Sequence, residues 1–200
     1  MKQAEDTILG NYLLSAASQY NAQKGVNGDS PTELTLRDFA NVNAALDTAN
    51  AFKFLTGKQG EDRFGTAPIR AAYFMLAHTL EEATLDTLNG FIHAWNYPNQ
   101  NDVLYSEYGS VTNFRILTSS NSIVQLAASI NSRDVYNNMV VAREAYAHIE
   151  QDGYSSQLIY RPPIFSGPLA LNGTLGVKFA QAQVITQDTW IQNFRSTLAL

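Results

Sequence analysis

Residues 106–122 read SEYGSVTNFRILTSSNS, and the fold turns on how this stretch is read. Its second half alternates. Val111, Asn113, Arg115 and Leu117 point one way, and Thr112, Phe114, Ile116 and Thr118 the other, which predicts one strand over Val111–Thr118. An arginine in mid-strand, between Val111 and Leu117 on its own face, has two uses. It binds a ligand anion, or it ties the structure together.

Working outward, the chain reads as α+β, with helices early and sheet late. Ile8, Leu9, Tyr12, Leu13, Ala16, Ala17 and Tyr20 make one apolar stripe of a first helix that starts without a cap. QKGVNGDSP (23–31) is a loop by composition. Thr35 with Asp38 resembles a capping box, and Phe39, Val42, Leu46 and Ala49 continue a second amphipathic helix. TGKQGEDRFGTAP (56–68) is a further polar loop, followed by a buried strand from Ile69 to Ala77. Thr79 with Glu82 predicts a second capping box and a helix through Leu85 and Leu88. NYPNQND (96–102) breaks the chain before the quoted strand.

In the second half, strands are expected over Val135–Ala142, over SSQLIYR (155–161) and along TLGVKFAQAQVIT (174–186). Arg143 to Gln151 reads as a short helix ended by Gly153. RPPIFSGPL (161–169) holds three prolines and reads as a rigid extended crossing. No repeat of 20–50 residues is present.

Composition excludes several classes of function. At 200 residues and 22.1 kDa the chain is one domain, or one domain with a subdomain. Charged residues are only 16%, against roughly 25% in typical domains. The surface must then be rich in Asn, Gln, Ser and Thr, which are cheap to desolvate. The net charge is −5 and the 13 basic residues are scattered, so no basic stripe exists to read a duplex. The absence of cysteine removes disulfides and thiolate chemistry. The longest apolar run, AAYFMLA (71–77), falls far short of a membrane span of ~20 residues, and the N-terminus has no signal-peptide core.

No catalytic constellation stands out. His78, His93 and His148 lack metal-ligand spacing, and there is no GxSxG elbow. GVNGDS (25–30) lacks the lysine of a phosphate-binding loop. Glu81, Glu82 and Asp86 crowd a helix start, where interaction with the helix dipole accounts for them. As the best alternative site, Glu81, Glu82 and His78 would line a pocket in an α+β enzyme. Tyr105, Tyr108, Tyr154 and Tyr160 sit in or beside loops and suit either packing or a protein interface.

Several stretches in order carry a family likeness. FGTAPIRAAYFMLAHTLEEATLDTL, SEYGSVTNFRILTSS, VYNNMVVAREAYAHI and SGPLALNGTLGVKFAQAQVI together resemble the C-terminal part of tailed-bacteriophage major capsid proteins. Within that family the match is to the coliphage N-four-like branch of the Hong-Kong-97-type shell fold. The residues that carry it are Pro68, Arg70, Glu107, Gly109, Phe114, Arg115, Ala145, Tyr146, Pro168, Leu169, Gly176 and Lys178. KQAEDTILGNYLLSAAS is similar to that fold's spine helix. Gly167 departs from the pattern, standing where an acidic residue is usual.

The resemblance implies a structural subunit that assembles with copies of itself into an icosahedral shell around DNA, contacted non-specifically. It implies no catalysis, no cofactor and no metal. It places the protein in the virion, and in the host cytoplasm before assembly. It also implies central and axial subdomains interleaved over residues 1–200, with the N-terminal arm and the long hairpin missing. Such a trimmed chain is expected as a monomer or small oligomer. In this reading Glu107 and Gly109 turn the chain into the strand, glycine supplying an unusual backbone conformation, and Arg115 is a tie within the fold. A virion accessory protein, for decoration or scaffolding, is the third reading.

Overall fold

The computed structural model describes residues 2–54, 71–97, 103–129, 131–150, 157–163, 173–178 and 181–198. The polar loop 56–68, Pro68, Arg70, Gly153, Tyr154, Pro168 and Leu169 lie outside them. Two units emerge. One comprises residues 1–145 and 187–200, and the other, residues 146–186, is inserted into its sequence.

The larger unit is built on an eight-stranded mixed sheet. Its strands are β1 (Ser18–Asn21), β2 (Tyr73–His78), β3 (Ile92–His93), β4 (Glu107–Val111), β5 (Phe114–Ser119), β6 (Val124–Gln125), β7 (Val135–Val141) and β12 (Ile191–Ser196). Across the sheet they run β1-β12-β7-β2-β5-β4-β3, with β6 pairing β7. β2 lies parallel to β5 and antiparallel to β7, and β1 lies parallel to β12.

Along β2, Tyr73, Met75 and Ala77 are wholly buried, while Leu76 on the other face is 41% exposed. Helix α2 (Leu36–Thr48) covers the buried face with Phe39, Val42 and Leu46, one residue per turn of the helix. Phe39 meets Phe114 at 5.7 Å and Phe194 edge-on at 5.2 Å, so α2 clamps β5 and β12 together. Its start is as the sequence predicts: the Asp38 carboxylate accepts the Thr35 N–H at 3.1 Å and also bonds the Thr35 hydroxyl.

Helix α1 (Lys2–Ala16) is shorter than its apolar stripe suggests. Leu13 is buried, but Ile8 and Tyr12 are 51% and 41% exposed. Tyr20 leaves the helix for β1, where its ring stands edge-on to Phe194 at 5.7 Å. A strand-to-strand pairing and an aromatic contact outweigh one more helical turn.

The predicted capping box at Thr79 and Glu82 is replaced. His78 Nδ1 accepts the Leu80 N–H at 3.1 Å, a 3-10 turn occupies Thr79–Glu81, and α3 spans only Glu82–Asp86. The predicted helix over Arg143–Gln151 is also wrong. Glu144 sits in a left-handed turn at φ 64° and β8 (Tyr146–Glu150) follows. Its partner β11 (Gln181–Ile185) takes the backbone hydrogen bonds that a helix would have closed internally.

Of the second unit, two antiparallel pairs are described. β8 pairs with β11, and β9 (Gln157–Arg161) pairs with β10 (Thr174–Lys178). Every residue of β9 and β10 is exposed.

Candidate functional site

The quoted stretch is a hairpin, not one strand. β4 ends at Val111, β5 begins at Phe114, and Val111 pairs with Phe114 across a two-residue turn. Thr112 holds the turn at φ 49°, a left-handed conformation that a β-branched residue seldom adopts. Strict alternation ran through the turn unnoticed because Val111 and Phe114 are both buried on their respective strands.

Within the hairpin lies a β-bulge. Glu107 pairs with Leu117 and Gly109 with Ile116, so Tyr108 is the extra residue. This one residue decides the chemistry. Directly opposed residues share a face, so the bulge puts Glu107 on the face of Leu117 and Arg115. Continuing the unbulged register would set Glu107 opposite Thr118, on the other face.

On that shared face Arg115 and Glu107 make a bidentate ion pair. Arg115 Nε donates to Glu107 Oε1 at 2.8 Å and Nη2 to Oε2 at 2.5 Å. The two side chains are 2% and 0% exposed. Tyr97 Oη donates to Glu107 Oε1 and the Leu104 N–H to Oε2, each at 3.1 Å. The guanidinium also lies 5.5 Å from the centre of the Phe74 ring. Among the described residues Glu107 therefore joins β5, the Tyr97 turn and the start of β4. A group so engaged has no accessible face for a ligand anion.

Gly109 does not sit at positive φ, which corrects the conformational reading of that glycine. Its need is space. An added Cβ would fall 2.5 Å from both the Ile92 carbonyl oxygen and the Phe91 ring. The strand β3 runs that close to β4.

A second polar cluster is buried between the end of β2 and the strands β7 and β12. Glu81 is 1% exposed, so it is a core residue and not part of a solvated helix start. Its Oε1 accepts the Ser196 hydroxyl, and Asn138 Nδ2 donates to that same hydroxyl oxygen at 2.9 Å. Its Oε2 has no hydrogen-bond partner among the described residues. Burial pushes its carboxyl up to about 7. Sequence reasoning missed this because a carboxylate beside a helix start looks the same whether it faces water or core. The Asn137-Asn138 pair in mid-strand was the available signal.

The alternative enzyme site does not gather. His78 spends Nδ1 on Leu80 and rests its ring against Tyr136 at 5.3 Å, while the Glu81 carboxyl points to Ser196. Asp86 accepts the Tyr108 hydroxyl at 2.8 Å and lies 3.5 Å from His93, whose ring stacks on Trp95. Among the described residues no group of three or more His, Asp or Glu side chains is placed to hold a metal ion.

The sequence-matched residues thus fall into separate places. Glu107, Gly109, Phe114 and Arg115 share the β4–β5 hairpin. Ala145 and Tyr146 stand at the chain's passage from one unit to the other. Gly176 and Lys178 lie on β10, opposite Ile159 and Gln157.

The ribbon bearing Gly176 is the most distinctive surface. Leu158, Ile159 and Tyr160 on β9, and Leu175 and Val177 on β10, are 47% to 67% exposed. Two strands are marginal in water, and among the described residues no third strand pairs with either. Apolar residues on both strands add an incentive to be covered.

No family model and no curated protein matches the sequence. Solved structures do match in shape. A structure of Mycobacterium phage Che8 is similar at 12% identity, with a TM-score of 0.55 over 96% of this chain and 58% of that one. The capsid of Ralstonia phage GP4 is similar at 14% identity, with a TM-score of 0.58 over 92% and 53%. The holo-SrpI encapsulin complex of Synechococcus elongatus PCC 7942 is similar at 12% identity, with a TM-score of 0.55 over 97% and 60%. The chain spans somewhat over half the length of each of these neighbours. The likeness establishes an α+β fold of the phage-capsid type.

Proposed function

We propose that the chain is a structural subunit of a bacteriophage or prophage capsid, assembling with copies of itself into an icosahedral shell. The observation that carries this reading is the exposed apolar ribbon of β9 and β10, set in a fold shared with shell proteins. Supporting it, α1 leaves Ile8 and Tyr12 uncovered. Many weak contacts of this kind, summed over a shell, need no catalytic centre. The acidic balance of the chain suits a wall that confines DNA without trapping it. In this reading the protein resides in the virion, after assembly in the host cytoplasm.

The ordered motifs around Glu107, Arg115, Gly176 and Lys178 support the N-four-like branch, whose C-terminal part they resemble. On this view the interleaved units are the axial and central subdomains. Pro68, Arg70, Pro168 and Leu169 belong to the same motif set. The roles of Glu107 and Arg115 in it are those of a tie inside the subunit.

The test is negative-stain imaging and light scattering of the chain expressed with any coding sequence contiguous with its own. Closed particles of megadalton mass are expected. Ile159→Asp with Val177→Asp should abolish them without unfolding the subunit. A monodisperse small species from the intact frame would contradict the reading.

A further inference from the structure

A pocket of about 420 Å³ opens between residues 23–35 and residues 129, 131 and 133, with Thr197 also lining it. Its volume is in the range of small-molecule sites. Both walls are held in place before anything binds. On one side the Gly25 N–H donates to Asp38 at 2.7 Å and the Gly25 carbonyl accepts from Asn41 at 2.6 Å. On the other, the Ala127 N–H donates to Asp134 at 2.9 Å and the Ser132 N–H to the Ser129 carbonyl at 3.0 Å. Thr32 ties the first wall to the third element, accepting the Thr197 N–H at 3.0 Å.

The donors left over are what give the pocket a chemistry. Lys24 stands at φ 52° on one wall and Arg133 on the other, and neither forms an ion pair with a described residue. Ser129 Oγ accepts the Arg133 N–H at 2.9 Å, which leaves its own proton to give. Glu33 is the only carboxylate among the lining residues, and it and Lys24 are both exposed. The lining therefore carries two cations and one anion, a local charge of +1 in a chain whose net charge is −5. Rigid walls and uncommitted cations at opposite sides lower the ordering cost of gripping an anion between them.

From this geometry we infer that the pocket binds a phosphoryl group, with Lys24 and Arg133 contacting its oxygens and Ser129 donating a third hydrogen bond. The fork of Arg133 suits two oxygens at once, and the ammonium of Lys24 adds a point charge. The volume leaves room for more than the phosphoryl group itself, so it can arrive free or as part of a nucleic-acid backbone. The inference does not depend on shell assembly.

The experiment measures binding of orthophosphate and of a short oligothymidylate by calorimetry and thermal shift, against sodium chloride of equal ionic strength. Saturable binding of at least one probe is expected, with affinity falling tenfold or more in Lys24→Ala and in Arg133→Ala. Glu33→Gln should tighten it severalfold, a change that mere loss of folding cannot mimic. Tighter binding of the oligothymidylate identifies a backbone source, and tighter orthophosphate a free anion. The inference is overturned if neither probe exceeds the chloride control, or if both alanine variants bind as the native chain does.

Discussion

Arg115→Ala is the sharpest test of how the β4–β5 hairpin is held. The substitution removes two charge-assisted hydrogen bonds and leaves the Glu107 carboxylate buried with only the Tyr97 hydroxyl and the Leu104 N–H. Breaking one side of a buried pair typically costs about 3–5 kcal/mol, because the stranded charge keeps its desolvation penalty. A chain of this size loses roughly 2–4 °C of melting temperature per kcal/mol, so the expected fall is about 6–20 °C. Urea unfolding followed by circular dichroism gives the same quantity as a shifted midpoint at unchanged slope. A second construction separates charge from packing. Arg115→Met combined with Glu107→Leu removes both charges, but leaves Tyr97 and the Leu104 N–H without their acceptor, at about 1–3 kcal/mol each. The double variant should therefore be less damaged than the sum of its single changes by roughly 1–3 kcal/mol. A melting curve for Arg115→Ala that overlays the native one, or strict additivity in the double variant, would refute the reasoning.

Three further outcomes follow from the same structure. The Glu81 carboxyl is raised by burial from 4.5 to about 7, so the folded chain holds that proton more tightly than the unfolded one. Native stability should thus fall by about 3 kcal/mol as pH climbs through that window and level off above it, and Glu81→Gln should flatten the dependence in pH-resolved urea titrations. Gly109→Ala should cost about 2 kcal/mol or more and speed amide exchange in β3, since the new methyl meets the Ile92 carbonyl. Thr112→Gly should raise the melting temperature by an amount equivalent to about 0.5–1 kcal/mol. It relieves the φ of 49° and removes a buried hydroxyl that has no partner among the described residues.

How much of this was legible beforehand differs from element to element. Helix α2 was, because its cap and its buried stripe are both local: Thr35 and Asp38 are three residues apart, and Phe39, Val42 and Leu46 recur with the helical period. Strands β7 and β9 were legible as runs of β-prone residues, whereas the single strand expected over 174–186 is two, β10 and β11, each with its own partner. β12 was not, since IQNFRS carries buried amides that read as surface until β7 supplies their partners, and β1 was not, since Tyr20 continues the apolar stripe of the first helix. The helix expected over Arg143–Gln151 failed because a distant partner strand, β11, took its backbone bonds. Of the buried tie, sequence reading named Arg115 and Glu107 but not their contact, which hangs on the single bulged residue Tyr108.

By itself, then, the amino-acid sequence determined the α+β class, the absence of thiol chemistry, the acidic and charge-poor surface, and the helix that seals the sheet. These depend on composition and on spacings within one segment, where covalent geometry alone sets the period. Only the tertiary structure decided that Glu107 faces Arg115, that Glu81 lies in the core, that Lys24 and Arg133 share a pocket, and that β9 and β10 stand uncovered. Each of those is a matter of which distant strand lies alongside and how much water it removes, and a one-residue shift in register reverses the answer.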